Sequence, residues 1–391
     1  MTPSSTSAST PAGAPAPTPR RRALRWLAPV TAAVVLGAGG SAVGVLTASA
    51  RSGLPDRSAA RLLVDVQQAR VEGLSGTIVQ NARLGLPSLP GTGGDGSSDL
   101  SSLVSGSHTL RLWYDGPDRV RVALLGSLGE SDVVRNGTDL WTWSSSSKSA
   151  THRTVPAASA DHGDPGSLAS GGAMTPQQAA EAALHAISPS TRVTTGGNAR
   201  VAGRSAYELV LQPRDRASLV GSVRIAIDGK THVPTRVQVF ARGGSTPAFE
   251  VGFTSFDPSA PSASVFAFNP PPGTKVTRGS GPDALLGRHR AMAGAGRLPA
   301  ARPRVVGKGW TSVVVATLPS GLPSGRSATR SGPAAAGELG PLLSALPRAS
   351  GSWGSGRVLR GTLFSAVLTE DGRVAVGAVE PSRLYAALAR R

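Results

Sequence analysis

From Leu74 to Phe268 the apolar residues recur mostly with a period of two. Leu110, Leu112 and Tyr114 alternate with Arg111 and Trp113. Val120, Val122 and Leu124 alternate with Arg119 and Arg121, and Asp115-Gly116-Pro117-Asp118 joins the two runs. That pattern predicts half-buried antiparallel strands connected as a hairpin. An earlier run, Leu74 to Gln80, predicts a strand of the same kind. Asn136-Gly137 predicts a further turn before Leu140-Trp141-Thr142-Trp143. Strands return at Val201 and at Tyr207 to Leu211. Val223, Ile225 and Ile227 then lead to a hairpin turn at Asp228-Gly229, answered by Val237 and Val239. Phe249, Val251 and Phe253 make one more stripe, and Phe266 and Phe268 another.

Helical spacing appears in few places. Leu62, Leu63, Val66 and Ala69 predict an amphipathic helix over Asp56 to Val71, with Asp56 at its cap or first turn and Gly73 beyond its end. Thr175-Pro176-Gln177-Gln178 predicts a second helix running to about Ile187, with Thr175 as cap and Pro176 as first helical residue. Residues 85–107 and 144–172 read as Gly/Ser-rich or polar loops. Beyond a linker, Val313 to Leu318 predicts a strand, 335–346 a short helix, and Leu363 to Thr369 with Arg373 to Val379 a hairpin around Asp371-Gly372. Pro381 opens a last helix with Leu384 and Leu388 on one face. Gly351-Ser352-Trp353-Gly354-Ser355-Gly356 reads as a glycine-rich turn before that hairpin.

The start of the chain differs. Residues 1–25 are Ser-, Thr-, Ala- and Pro-rich, end in the basic group Arg20, Arg21, Arg22 and Arg25, and predict disorder. Residues 26–50 carry no charge, enough length to cross a bilayer. The positive flank keeps its N-terminal side in the cytoplasm. Ala48-Ser49-Ala50 suits signal-peptide cleavage. Two readings stand: a secretory signal cut after Ala50, or an uncut single-pass anchor. Both place the remainder on the extracytoplasmic face of the cytoplasmic membrane, or outside the cell. The organisation that follows is residues 51–276 as a β domain, 277–304 as a basic linker and 305–391 as a small α+β unit.

Composition narrows the chemistry. The 391 residues include 49 Gly and 31 Pro, a balance that favours turns and strands. No cysteine is present, which excludes disulfides, Cys-ligated metals and an N-terminal lipidated cysteine. The net charge of +18 raises nucleic acid as a partner. The targeting segment contradicts it, and aromatics make up only 4% of the chain. The linker alone, from Lys275 to Lys308, holds eight basic residues against Asp283. It reads as a solvated spacer, with anionic lipid or polymer as the functional alternative. The six histidines, His108, His152, His162, His185, His232 and His289, form no H-x-x-x-H or H-E-x-x-H pair. No G-x-S-x-G elbow and no G-x-x-x-x-G-K-[ST] loop occurs, and 23 acidic residues leave few acid–base pairs. The expectation is a binding protein, not an enzyme, with no cofactor and no metal.

The order of elements is one helix, a run of antiparallel strands, a second helix, and more strands. Three segments carry a resemblance: Val71-Glu72-Gly73-Leu74-Ser75-Gly76-Thr77-Ile78-Val79-Gln80, Asn136-Gly137-Thr138-Asp139-Leu140-Trp141-Thr142-Trp143, and Phe268-Asn269-Pro270-Pro271-Pro272-Gly273-Thr274-Lys275-Val276. In these the chain resembles the LolA-like family, which includes lipoprotein carriers, RseB-type (MucB/RseB) regulators and actinobacterial relatives. The resemblance implies a mainly β fold with some α: an unclosed antiparallel β-barrel with covering helices. The small C-terminal unit is similar in layout to RseB-type proteins. It further implies an apolar concave face that takes acyl chains or an apolar peptide. The residues available to line it are Leu110, Leu112, Val120, Val122, Trp141, Trp143, Val237, Val239, Phe249, Val251 and Phe253. Each is also what an ordinary core would place there. Two functions follow as expectations. One is a carrier-like binder of lipid or lipoprotein acyl chains. The other is an envelope-sensing regulator that binds a membrane partner such as an anti-sigma factor.

Overall fold

A computed structural model describes residues 53–69, 71–86, 97–98, 102–103, 106–157, 190–279, 303–317 and 345–390. The targeting segment, the helix expected from Thr175 and most of the helix expected at 335–346 lie outside these residues. Helix α1 spans Ala59–Gln68. Its cap is Ser58, whose hydroxyl accepts from the Arg61 N–H at 3.2 Å. Asp56 is exposed and precedes the cap, so the start moves inward from the sequence expectation. Leu62 and Val66, four residues apart, face the core. Asp65 is also buried on this helix, neutralised by Arg57 and by Arg61 at 3.0 Å. The helix ends at Ala69, and Gly73 serves another purpose. A Cβ at Gly73 would sit 2.5 Å from the Ala260 Cα, so only glycine lets the segment after the last long strand pass so close.

The β domain runs β1 (Leu74–Ala82), β2 (Ser107–Tyr114), β3 (Arg119–Leu125), β4 (Glu130–Asn136), β5 (Asp139–Ser144), β6 (Ser149–Thr154), β7 (Thr191–Thr195), β8 (Ala199–Val201), β9 (Arg204–Pro213), β10 (Val220–Asp228), β11 (Pro234–Ala241), β12 (Pro247–Asp257) and β13 (Lys275–Gly279). They form one 13-stranded sheet in the order β13-β6-β5-β4-β3-β2-β1-β12-β11-β10-β9-β7, with β8 also on β9. Every pairing is antiparallel except β13 on β6. The ends of the path do not pair, so the sheet is an unclosed barrel, and β1 beside β12 joins its two halves.

Four local features depart from the sequence reading. Strands β6 and β7 carry no apolar alternation, because they pair near the sheet's ends where one face or both meet solvent. Phe266 belongs to a short 3-10 helix, Ala263–Phe266, and not to a strand. β13 continues to Gly279, into the stretch read as linker. The Asp228 turn is a loop from Gly229 to Val233, longer than a two-residue hairpin, with His232 at φ 58.

Asp228 organises that loop. Its Oδ1 accepts from the Lys230 N–H at 3.1 Å, the Thr231 N–H at 2.8 Å and the Thr231 hydroxyl at 2.9 Å. Arg204 grips both oxygens, at 2.6 and 2.9 Å. Burial pushes the carboxyl upward, but Arg204 and Thr231 outweigh it and hold it at about 2. The folded state therefore favours the carboxylate. Its contribution is complete above the ordinary value of 3.8 and disappears as pH falls through about 2. Asp228→Ala is expected to cost about 2 kcal/mol at neutral pH. In urea titrations the gap between parent and variant should close between pH 4 and pH 2. A gap independent of pH would refute this account of the loop.

The C-terminal unit is a second antiparallel sheet of β14 (Arg304–Val306), β15 (Val313–Thr317), β16 (Arg348–Gly351), β17 (Gly354–Arg360), β18 (Ser365–Thr369) and β19 (Arg373–Gly377), ordered β14-β15-β19-β18-β17-β16. Helix α2 (Pro381–Ala389) starts with Pro381, whose missing N–H costs nothing there. It buries Leu384 and Leu388 against Val315, Val358 and Val367, and Trp353 stacks on Tyr385 at 5.0 Å. This unit docks on the β domain. The Thr362 N–H donates to the Leu84 carbonyl at 2.7 Å, and the Leu219 N–H to the Ala378 carbonyl at 2.8 Å. Trp310 Nε1 donates to the Thr191 hydroxyl at 2.7 Å. Leu363, Phe364 and Ala378 join the core cluster of the β domain. The two sheets thus share one apolar seam.

Candidate functional site

Strand register decides which side chains meet. Side chains alternate between faces, so paired residues across neighbouring strands share a face. Ile78 pairs with Leu110, Leu110 with Leu124, and Ile78 on its other side with Phe253. Val251 pairs with Val237, Val237 with Ile225, and Ile225 with Leu209. The same face holds Phe249 opposite Val239, and Leu112 opposite Val122. From β3 through β1 and β12 to β9, one face is therefore continuously apolar. A bulge between Thr77 and Ile78 keeps the two halves in step, because β12 carries one extra residue there. Gly76 sits at this join. A Cβ on it would meet the Phe253 ring at 2.7 Å, so the glycine makes room for that ring on the inner face.

Leu110, Leu112, Val120, Val237, Val239, Phe249, Val251 and Phe253 are all buried on this face, and Val122 is partly buried there. Helix α1 contributes Leu62 and Val66 to the same cluster. Arg57, just before the helix, lies 5.7 Å from the Tyr207 ring of β9. The helix is thereby tied to the β9 side of the inner face. Each fully buried Leu, Val or Phe is worth about 1.5–3 kcal/mol, so the face is the main store of folding free energy in this domain.

Trp141 and Trp143 do not belong to it. They pair with Val134 and Asp132, which pair with Arg121 and Ala123. That row is the outer face. There Trp141 stacks on His152 at 4.3 Å and lies 5.4 Å from Phe268, while Trp143 lies 6.3 Å from Phe268. His152 also meets Asp139 at 2.7 Å. Beside them, Arg111 and Arg121 each lie 5.4 Å from the Trp113 ring. The segment after β12 crosses this outer face, bringing the buried Phe266, and Arg121 donates to the Val265 carbonyl at 3.3 Å. Arg121 also forms a two-pronged pair with the buried Asp132 at 3.1 and 3.2 Å. Glu130 lies close by, and burial together with the Asp132 charge raises its carboxyl above the usual range. The strap then pairs as β13 with β6. The indoles therefore hold the strap, and the inner face lacks them.

The inner face changes character toward β4, β5 and β6. There Val133, Leu140, Thr142 and Thr151 are only partly buried, in contrast to the closed centre. One row reads Leu74, Tyr114, Val120, Arg135, Leu140, Arg153. Arg135 is buried and fully engaged: it donates to the Gly137 carbonyl at 3.1 Å, to Asp118 at 2.7 Å and to the Pro156 carbonyl at 2.8 Å. The arrangement is an apolar floor with a half-open, cationic lip. Sequence alternation located the floor. The lip was missed because β6 has no apolar signal of its own. Among the described residues no group of three or more His, Asp or Glu side chains is placed to hold a metal.

No family model and no curated protein matches the sequence. Solved structures with a similar fold include the Pseudomonas aeruginosa MucA/MucB complex, 16% identical over 84% of this chain and 95% of that one, with a TM-score of 0.38. A LolA-superfamily protein of Nitrosomonas europaea is 11% identical over 55% of this chain and 99% of that one, with a TM-score of 0.20. An outer membrane lipoprotein-sorting protein domain of Vibrio parahaemolyticus is 12% identical over 53% and 97%, with a TM-score of 0.21. At such scores the superpositions are loose, and the architecture rests on the chain's own strand order. An unclosed antiparallel barrel with a helix on its inner face and a small second unit is the LolA-like, RseB-type arrangement that the sequence resemblance implied.

Proposed function

We propose that this protein binds the acyl chains of a lipid or lipoprotein on the inner face of its sheet, outside the cytoplasmic membrane. One observation carries the reading. Among the described residues, the apolar floor runs without interruption from β9 to β3 and then becomes only half-buried at β4–β6. A core built only for stability has no reason to keep one end half-exposed. An extended acyl chain supplies the missing apolar surface there, at about 0.8 kcal/mol for each buried methylene. The reading is of a binding protein, with no catalytic residue and no cofactor. The targeting reading of residues 26–50 supports the location. Those residues lie outside the described ones, and among the described residues no helix is long and apolar enough to cross a membrane.

A regulator that docks a membrane protein partner is the second reading. It is favoured by the way Leu363, Phe364 and Trp310 join the C-terminal unit to the same apolar cluster. Native mass spectrometry of the full chain purified from membranes separates the two. The first reading expects a stoichiometric acyl-containing adduct. A clean unliganded mass, with a membrane protein co-purifying only while residues 305–391 are present, would replace it with the second.

A further inference from the structure

Arg153 lies at the outer end of the lip, on β6, and faces inward beside Leu140. Its Nε is completely buried and has no hydrogen-bond partner. Among the described residues no ion pair joins Arg153 to a carboxylate. Two carboxylates of this end of the sheet are committed elsewhere: Asp118 holds Arg135, and Asp139 holds His152 on the opposite face. Gly279 of β13 pairs with Arg153 and places no side chain over it.

A buried guanidinium donor without an acceptor is unfavourable, and folded proteins rarely keep one without use. Arginine offers a planar, permanently charged fork suited to phosphate or carboxylate oxygens. Here the fork stands at the end of the row Val120, Arg135 and Leu140, beside the apolar row of Leu112, Val122 and Val133. A ligand whose tail lies along that row brings its headgroup to Arg153. Arg135, two strands away at about 4.8 Å per strand, adds positive potential without offering free donors along its Nε edge.

We infer that Arg153 is an anion-recognition residue for the bound lipid, and that the preferred ligand is an acyl lipid with a phosphate headgroup. This rests on the acyl-binding reading above and deepens it. The tail supplies most of the affinity, and Arg153 supplies the discrimination between charged and uncharged headgroups.

The test uses the full chain in detergent and two single-chain probes of equal tail: 1-palmitoyl lysophosphatidic acid and monopalmitoylglycerol. The parent should bind the phosphate probe about tenfold or more tightly than the uncharged one. Arg153→Gln should remove that preference while leaving monopalmitoylglycerol affinity unchanged and the thermal midpoint no lower than the parent's, and Arg153→Lys should restore part of the preference. Equal binding of both probes by the parent overturns the headgroup assignment and leaves acyl binding standing. Binding of neither probe overturns the acyl reading itself. If inorganic phosphate binds as tightly as the phosphate lipid, the site is one for free phosphate, and the lipid assignment falls. Preference retained in Arg153→Gln moves the recognition to another residue and refutes the inference.

Discussion

Phe249→Ala should destabilise the protein by about 4 kcal/mol, because it removes a fully buried aromatic ring from the closed centre of the inner face. Phe249 is 1% exposed and packs between Ala82 of β1 and Val239 of β11. Ala82 is too small to move into the space, and the register on both sides fixes the backbone. The cavity therefore stays largely open, and the cost sits in the upper part of the range for Phe to Ala. The thermal midpoint should fall by about 10 °C. Trp141→Ala supplies the contrast. Trp141 is half-buried on the outer face and packs on His152 and Phe268, so its loss should cost only about 1–2 kcal/mol and leave acyl binding intact. Differential scanning calorimetry on the two variants checks both statements. Equal losses in the two would mean that the sheet's two faces are not divided as described.

Much of this division could be read in the residues alone. The alternation of Val223, Ile225 and Ile227 with Val237 and Val239 announced both the hairpin and its buried face. A period of two leaves one choice of face for each strand, and burial settles it. Trp141 and Trp143 show where that reading stops. Their spacing shows that they share a face. Which face depends on pairing with Val134 and Asp132, and that register belongs to two strands and cannot be read from one. Arg153 escaped notice for a related reason. It stands in Ser149-Ala150-Thr151-His152-Arg153-Thr154, whose strand character comes from its neighbour β5 and not from its own side chains. The strap through Phe266 was also hidden. A single buried phenylalanine after a long strand looks like another strand until the covering of Asp132, Arg121 and Ala123 is seen.

Phe364→Asp should uncouple the two units and cost about 4 kcal/mol or more, since it places a carboxylate in the apolar seam between them. Phe364 is 5% exposed, and its carbonyl accepts from the Gly361 N–H at 2.9 Å, which folds the β17–β18 connection against Leu84. The effect should be local before it is global. Hydrogen exchange should accelerate first at the Thr362 and Leu219 amides, whose acceptors lie across the seam. Amides of the β15–β19 pair, supported by Val315, Ala375 and Leu384, should keep their protection. Uniform acceleration throughout the chain would show one cooperative body. Unchanged exchange at Thr362 and Leu219 would show that Phe364 does not hold the seam.

The central claim is that an acyl chain occupies the inner face. The direct measurement is photo-crosslinking of the full chain with a diazirine-bearing palmitate, followed by peptide mapping. The account predicts adducts on partly buried inner-face residues at and beside the open end, Val122, Val133 and Leu140, and none on Trp113, Trp141 or Trp143. Adducts confined to those indoles, or the absence of any adduct while the probe remains bound to a membrane partner, would contradict it.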